Sequence, residues 1–460
     1  MKVKTVFGPP GTGKTRTLTD VAAYHLARGD SVTLLSFSRA AAAESASRLP
    51  KADKNSLSCS TIHSLAFSSL GLARPAIVDF KKLLEFGDAA GFPFKDGKEI
   101  DEDQEGDEFL NVLSYSNAKI IDPAQAYEHF GRPGTLKRFE MFLKTYNQWK
   151  ETYGYFDFDD MLSASLTCDF GDRPIVVLDE AQDCSPRQWQ VFSKIVEGSK
   201  HVYIGGDDDQ AIFEWNGANP HGMIDFSEAH NATIKVLDQS YRLPRSVHDY
   251  ATEQALKWVG HRVEKAFKAA DRDGSVSLYG EMFDVDLPQY AGKDTLILAR
   301  DRFKLREIQT ILNQDRVPYK IIGGGSPYDN AYAAAVRGYQ RDGGPNANEK
   351  AAILKLAYDQ TVPVETLMKT PWHQALRIPS RLISFYMTAD LFAPLSIRIS
   401  TVHQAKGMEA DNVVVDANLS PRVEEGMTRD PDAEARVFYV ALTRARENLV
   451  VTGWNRMMGA

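Results

Sequence analysis

Apolar residues in this chain come in short unbroken runs rather than long stripes. VKTVF (3–7), SVTLLSF (31–37), IVVLD (175–179) and HVYIGG (201–206) are rich in β-formers, and helix-like segments rich in Ala, Leu and Glu lie between them. Continuous apolar strands alternating with helices predict a parallel sheet covered on both faces. The same rhythm returns in TIKVLDQ (233–239), TLILAR (295–300), YKIIGG (319–324), SIRISTVH (396–403), NVVVDA (412–417) and NLVVTGW (448–454). The chain therefore reads as α/β, with two parallel-sheet domains of similar logic.

Two stretches break the alternation. Residues 65–160 and 331–395 are mainly helical in apolar periodicity, the second interrupted at Pro363, Pro371 and Pro379. Each is expected as an insertion in its parent domain. The expected partition is 1–64 with 161–230 for the first domain and 65–160 for its insertion. The second domain takes 231–330 with 396–460, and its insertion 331–395.

Composition adds limits. The chain has 460 residues, 43% hydrophobic and 25% charged, the balance of an ordinary globular protein. No apolar run is long enough for a membrane span, and the N-terminal stretch is too short for a signal peptide. Cys59, Cys168 and Cys184 match no metal spacing and are expected as buried small hydrophobes in a reducing cytoplasm. The net charge of −8 does not by itself suggest a nucleic-acid binder. Much of it comes from KEIDEDQEGDE (98–108), expected as a solvated loop, so a local basic groove elsewhere is permitted.

The chemistry is most legible near the start. GPPGTGKT (8–15) fits G-x-x-x-x-G-K-[ST], after a strand and before a helix. In that context the amides of Gly11, Thr12 and Gly13 curl around phosphate oxygens, Lys14 reaches the outer phosphates, and the Thr15 hydroxyl suits Mg²⁺. IVVLDEAQD ends a buried strand in two acids, Asp179 and Glu180. Two carboxylates at such an edge call for a cation. Asp179 suits the metal, and Glu180 suits orienting or deprotonating the attacking water. GGDDDQAIFEWNGA (205–218) adds Gln210, able to sense a terminal phosphate, and Phe213 and Trp215. In an extended chain those two aromatics share one side, as a base-stacking surface would need, though core packing suits them equally.

These pieces, in this order, resemble the superfamily 1 helicases of the UvrD/Rep/PcrA type. The resemblance continues through LLSFSRAAAAE (34–44), STIHSLAF (60–67), YFDFDDML (155–162), LDQSYRLPRSV (237–247), STVHQAKGMEADNVVV (400–415) and EARVFYVALTRAREN (434–448). It implies two RecA-like domains with ATP in the cleft between them. It implies that Arg16 and Tyr241 sandwich adenine, Arg242 touches the terminal phosphate, Glu409 bonds the ribose, and Gln210 links phosphate state to nucleic-acid grip. Phe37, Arg39, His63, Phe213, Trp215, Thr401 and His403 would line the single-strand path. Arg444, on what reads as a short helix in VALTRAREN, would be an arginine finger supplied in cis, whereas Arg446 reads as solvated or salt-bridged.

The implied activity is ATP- and Mg²⁺-dependent movement on single-stranded and tailed duplex DNA, 3′→5′, in replication, repair or recombination, in the cytoplasm and away from any membrane. A translocase that strips proteins without unwinding, and a nucleotide-switched binding module, are the alternatives. Three departures stand out. Only seven residues precede Gly8, where the family carries an adenine-reading glutamine segment, so strict preference for adenine is unsupported. Asn216-Gly217-Ala218 stands where the family reads Arg-Gly-Ala. The second insertion is short, as in a compact, phage-type member.

Overall fold

The computed structural model describes residues 1–53, 55–95, 104–260 and 262–453. The chain forms two compact units, Met1–Tyr241 with His261–Lys268, and Arg242–Gly260 with Ala269–Ala460, so the strand in TIKVLDQ, expected in the second domain from 231, belongs to the first, where it pairs with residues 4–7.

The first unit is built on six parallel strands. They are β1 (Lys2–Phe7), β2 (Val32–Ser36), β3 (Leu57–Thr61), β4 (Ile175–Asp179), β5 (His201–Gly206) and β6 (Thr233–Val236), in the order β3-β2-β4-β5-β1-β6. Every residue of β2 and β4 is buried, which is why VTLLS and IVVLD read as unbroken apolar runs. The edge strand β3, LSCST, is polar and half-buried, and it escapes a pattern search for that reason.

Between β3 and β4 the chain makes helices Ile62–Ser69, Phe80–Ala90, Glu105–Lys119, Pro123–His129, Leu136–Tyr153 and Phe158–Ser165. Four of these enclose an aromatic core of their own, including Phe86, Phe92, Phe109, Phe139, Phe142 and Tyr146. The two ends of this lobe are clasped together: the Val78 amide donates to Phe156 O at 2.9 Å and the Phe156 amide to Ala76 O at 2.8 Å. Part of the acidic run, 98–103, lies outside the described residues. The remainder is not a loop. Glu105, Asp107 and Glu108 occupy the first turn of helix Glu105–Lys119, where carboxylates meet unpaired amides. Asp107 accepts from the amides of Gln104 and Lys95, and Glu105 pairs with Arg138.

The second unit repeats the scheme with β7 (Ser275–Tyr279), β8 (Thr295–Ala299), β9 (Tyr319–Ile321), β10 (Ile397–Thr401), β11 (Ala410–Asp416) and β12 (Ala445–Thr452). All pairings are parallel, in the order β7-β12-β11-β8-β10-β9. The alternating edge strand β7 also escapes the pattern. Trp454, expected at the end of β12, lies outside the described residues. Five helices between Ala331 and Thr388 separate β9 from β10. They share one core with the sheet, Ala333, Val336, Ile353, Trp372 and Tyr386 packing in the same cluster as Ile297 and Ile399.

Of the cysteines, Cys184 is buried while Cys59 and Cys168 are only half-buried, so the expected burial holds for one. Among the described residues no helix is long and apolar enough to cross a membrane.

Candidate nucleotide site and strand groove

The phosphate loop joins β1 to helix Lys14–Ala27. Gly11 and Gly13 have φ of 73° and 83°, backbone that side chains resist. Gly8 lacks room for a side chain, since a Cβ there would sit 2.7 Å from that of Lys14. Thr12 closes the turn through its hydroxyl, which donates to Pro9 O at 2.7 Å. Lys14 is buried, with Nζ 3.6 Å from Glu180 Oε1. Burial works against its charge, but Glu180, Asp179, Asp207 and Asp183 outweigh that and raise its pKa.

One strand, β5, separates β1 from β4, so the acid pair ends beside the loop on the carboxyl edge of the sheet. Thr15 Oγ1 donates to Asp179 Oδ2 at 2.7 Å. Burial, with Glu180 alongside, pushes Asp179 up to about 6 against the pull of Lys14 and Thr15. A hydroxyl and a carboxylate converging in a buried place fit Mg²⁺, which takes one or two such ligands and fills the rest of its octahedron with phosphate oxygens and water. Asp179 is the group such a cation would restore to its charged form.

Glu180 stands at φ 55°, ψ 40°, in the left-handed region. For a non-glycine residue this costs about 1–3 kcal/mol and is found where surrounding structure dictates it. Its side chain is held at the head of a chain of hydrogen bonds. Gln182 Nε2 donates to Glu180 Oε2 at 2.6 Å, Gln182 Oε1 accepts from the Asp207 amide at 3.1 Å, and Gln210 Nε2 donates to Asp207 Oδ2 at 2.6 Å. Gln210 is thereby tied to the Glu180 side chain through two intermediates.

Arg16, in the first turn of the helix, and Tyr241 are exposed. The backbone around Tyr241 is fastened to the loop: its amide donates to Gly11 O at 2.8 Å and Ser240 Oγ to Pro10 O at 2.8 Å.

Beside this site the first unit carries a groove of about 1010 Å³. Phe37, Arg39, His63 and Phe213 line it, with Phe158 and Asp159 opposite. Phe37 and Phe213 stack at 5.2 Å and 25°, and His63 meets Phe158 edge-on at 5.8 Å. Burial lowers His63 to about 4, leaving it neutral near pH 7. Burial, reinforced by Asp157, raises Asp159 to about 7. The sequence around Trp215 is not extended. Glu214–Asn216 forms a tight turn closed by Gly217 at φ 88°, so Phe213 and Trp215 do not share a side by strand alternation. Trp215 is 57% exposed, which rules out the core-packing alternative, and it does not line the groove. Asn216 does.

In the second unit Glu409 and Arg444 lie at the amino ends of strands, and Arg242 reaches Glu409, whereas Thr401 and His403 lie at the carboxyl end of β10. Arg242 Nε donates to Glu409 Oε2 at 2.5 Å, and Glu409 immediately precedes β11. Burial would raise Glu409, but Arg242, Arg446 and Arg444 outweigh it and hold its pKa low. The helix around VALTRAREN ends earlier than expected, spanning Pro431–Leu442, because β12 begins at Ala445 and takes Arg446 into the sheet. Arg444 lies in the turn between, buried, with Nε donating to Val440 O at 2.8 Å. Arg446 is salt-bridged, Nε to Asp411 at 2.9 Å and Nη2 to Asp294 at 2.7 Å. Thr401 ends β10, and His403, half-buried, lies two residues beyond.

The sequence reading gave no role to Phe158 and Asp159, although it singled out the segment that holds them, nor to Gln182. Lys265 and Arg262, which ion-pair with Asp209, carry no local signal at all.

A phosphate loop, an acid pair of which Asp179 is buried, and a polar relay on the carboxyl edge of a parallel sheet define a P-loop nucleotide-hydrolase site. Residues 2–231 match the UvrD/REP helicase N-terminal domain and residues 387–456 the UvrD-like helicase C-terminal domain. The chain belongs to the UvrD/REP helicase family. It is 24% identical to the ATP-dependent DNA helicase UvrD2 of Mycobacterium tuberculosis, over 97% of this chain and 76% of that protein. It is 26% identical to the ATP-dependent DNA helicase Rep of Salmonella typhimurium, over 70% of this chain and 53% of that one. For the ATP-dependent DNA helicase PcrA of Staphylococcus aureus the figures are 24%, 74% and 52%. The chain thus spans about half the length of the Rep and PcrA proteins.

Proposed function

We propose that this protein is an ATP-driven motor on single-stranded DNA that moves 3′→5′ and unwinds tailed duplexes. One observation carries the coupling: Gln210, joined through Asp207 and Gln182 to Glu180, lies three residues before Phe213, whose ring stacks on Phe37 in the groove. A change at the terminal phosphate therefore has a short covalent and hydrogen-bonded route to the strand.

In this reading the loop amides and Lys14 hold the phosphates of ATP, and Arg16 and Tyr241 flank its base. Thr15 and Asp179 would hold Mg²⁺, which would supply charge neutralisation on the phosphates. Glu180 orients the attacking water and takes its proton. Gln210 senses the terminal phosphate. From the second unit, Arg242 and Arg444 stabilise charge developing on the transferred phosphoryl group, and Glu409 binds the ribose. Phe37, Arg39, His63, Phe213 and Trp215, with Thr401 and His403, grip the strand by stacking and polar contacts. The polarity and the cytoplasmic setting rest on the family alone.

The test is ATPase rate with and without single-stranded DNA, followed by displacement of 3′- and 5′-tailed duplexes. The reading expects strong stimulation and displacement of the 3′-tailed substrate only. Stimulation without displacement would favour a stripping translocase. Binding with no stimulated turnover would favour a nucleotide-switched module.

A further inference from the structure

The buried acids of the first unit have a partner that no role above uses. Lys265 Nζ lies 3.4 Å from Asp207 Oδ1, 2.5 Å from Asp208 Oδ1 and 2.9 Å from Asp209 Oδ2. All four side chains are buried. Arg262 adds a bidentate pair to Asp209 at 2.6 and 2.7 Å, and the Val263 amide donates to Asp208 Oδ2 at 2.7 Å. Taking so many charges out of water is costly, and packed apolar side chains would hold a segment at least as well. The cluster therefore asks for a purpose beyond stability.

That purpose lies in what the acids touch next. Asp207 accepts from Gln210, and its amide leads through Gln182 to Glu180. Asp207 Oδ1 makes no hydrogen bond of its own, and the Lys265 ammonium 3.4 Å away faces it, with the Lys14 charge acting on the same carboxylate more weakly. Lys265 and Arg262 both belong to His261–Lys268, the strap with which the chain returns to the first unit between two passages through the second. The strap is pinned at its end, the Ser240 amide donating to Lys268 O at 2.8 Å and the Lys268 amide to Asp238 O at 2.7 Å.

We propose that Lys265 is a positioning residue for ATP hydrolysis, holding the acid run 207–209 so that Gln210 and, through Gln182, Glu180 keep the arrangement that hydrolysis needs. The inference rests on the ATPase reading above.

Lys265→Met alone leaves the carboxylates underneutralised and endangers folding. The deciding variant is Lys265→Met/Asp208→Asn, which restores the formal charge balance of the cluster but leaves Asp207 without its ammonium. Melting temperature, ADP affinity, kcat and KM for ATP are measured on it and on the wild-type chain. The expected result is a melting temperature within a few degrees of wild type, ADP affinity within about threefold, and kcat down by roughly tenfold or more with KM unchanged, the signature of a contact needed only in the transition state. Recovery of kcat together with melting temperature overturns the proposal, and so does failure of the melting temperature to recover, since Lys265 then serves the fold alone. Absence of ATPase in the wild-type chain would instead overturn the proposed function.

Discussion

The two sheets follow one scheme but carry their charged clusters at opposite edges, although Thr401 and His403 of the second lie at the carboxyl end of β10. In the first unit Asp179 ends β4, and the phosphate loop, Glu180 and Asp207 follow the carboxyl ends of strands. In the second, Asp294 precedes β8, Arg398 opens β10, Glu409 and Asp411 flank the start of β11, and Arg444 and Arg446 flank the start of β12. Helix polarity explains the choice. At the carboxyl edge of a parallel sheet helices begin, and their unpaired amides favour phosphate. At the amino edge helices end, and their last carbonyls favour cations. Arg444 shows this directly, coming two residues after helix Pro431–Leu442 and donating to the carbonyl of Val440 in its last turn. One edge is made for anions, the other for guanidinium groups.

The strongest way to break this division is to remove the guanidinium. Arg444→Ala should lower DNA-stimulated turnover by roughly 10³–10⁵, the range for an arginine finger, while nucleotide affinity measured by titration stays close to wild type. A loss of only a few-fold would mean that Arg242 carries the charge or that the amino edge has no catalytic part. On the carboxyl edge, Glu180→Gln should keep ATP binding and cut turnover by roughly 10²–10⁴. Turnover within a few-fold of wild type would remove Glu180 from the chemistry and leave the backbone strain there without a function.

Smaller effects concern the groove, which belongs to the first unit. Trp215→Ala should weaken single-strand binding by about 1–3 kcal/mol, one aromatic platform, with basal ATPase and melting temperature little changed because the side chain is exposed. Unaltered affinity would confine the strand to the Phe37–Phe213 shelf.

The smallest expected effect is on pH dependence. Asp159 is held near 7 by burial and by Asp157, with Asp160 raising it further and Lys150 and Ser114 opposing. It is neutral below that value and anionic above it, and His63 stays neutral throughout. Single-strand affinity should therefore be higher below pH 7 and fall by roughly two- to fivefold above it, the effect of one charge in a partly solvated groove. Asp159→Asn should flatten that profile, and a profile unchanged by the substitution would place the titrating group elsewhere.

The carboxyl-edge site was legible because its parts are contiguous. A loop that must bend at Gly11 and Gly13, and acids that end a buried strand, leave signatures within a dozen residues. The interior strands β2, β4 and β8 announce themselves for the same reason, being apolar on both faces. What stayed hidden depends on distant partners or on polar edges. β3 is half-buried along most of its length and β7 is largely exposed, and both lack an apolar run. The turn at Trp215 is set by Gly217, whose backbone runs so close to Ala118 that a Cβ would sit 2.6 Å from it. Lys265 has no neighbour in sequence to betray it, for its carboxylates lie more than fifty positions away. The boundary at Leu442 was misplaced because ALTRARE favours helix locally, and only pairing with β11 draws Arg446 into a strand.

The clasp between residues 76–78 and Phe156 brings both ends of the helical lobe of the first unit together, and helix Glu105–Lys119 packs on the body of the unit, Lys119 Nζ donating to Ala218 O. With an aromatic interior of its own and both ends meeting at one point, the lobe is a cassette. It can be lengthened, shortened or exchanged without rethreading the sheet beneath it, whereas the helices of the second unit, fused to their sheet by a common interior, cannot. Yet Ser114 and Ala118 on this cassette form one wall of the groove. Grafting a different cassette would therefore reshape the groove wall while leaving the threading of the phosphate loop and the sheet beneath it unchanged, a route by which a single engine could acquire new tracks.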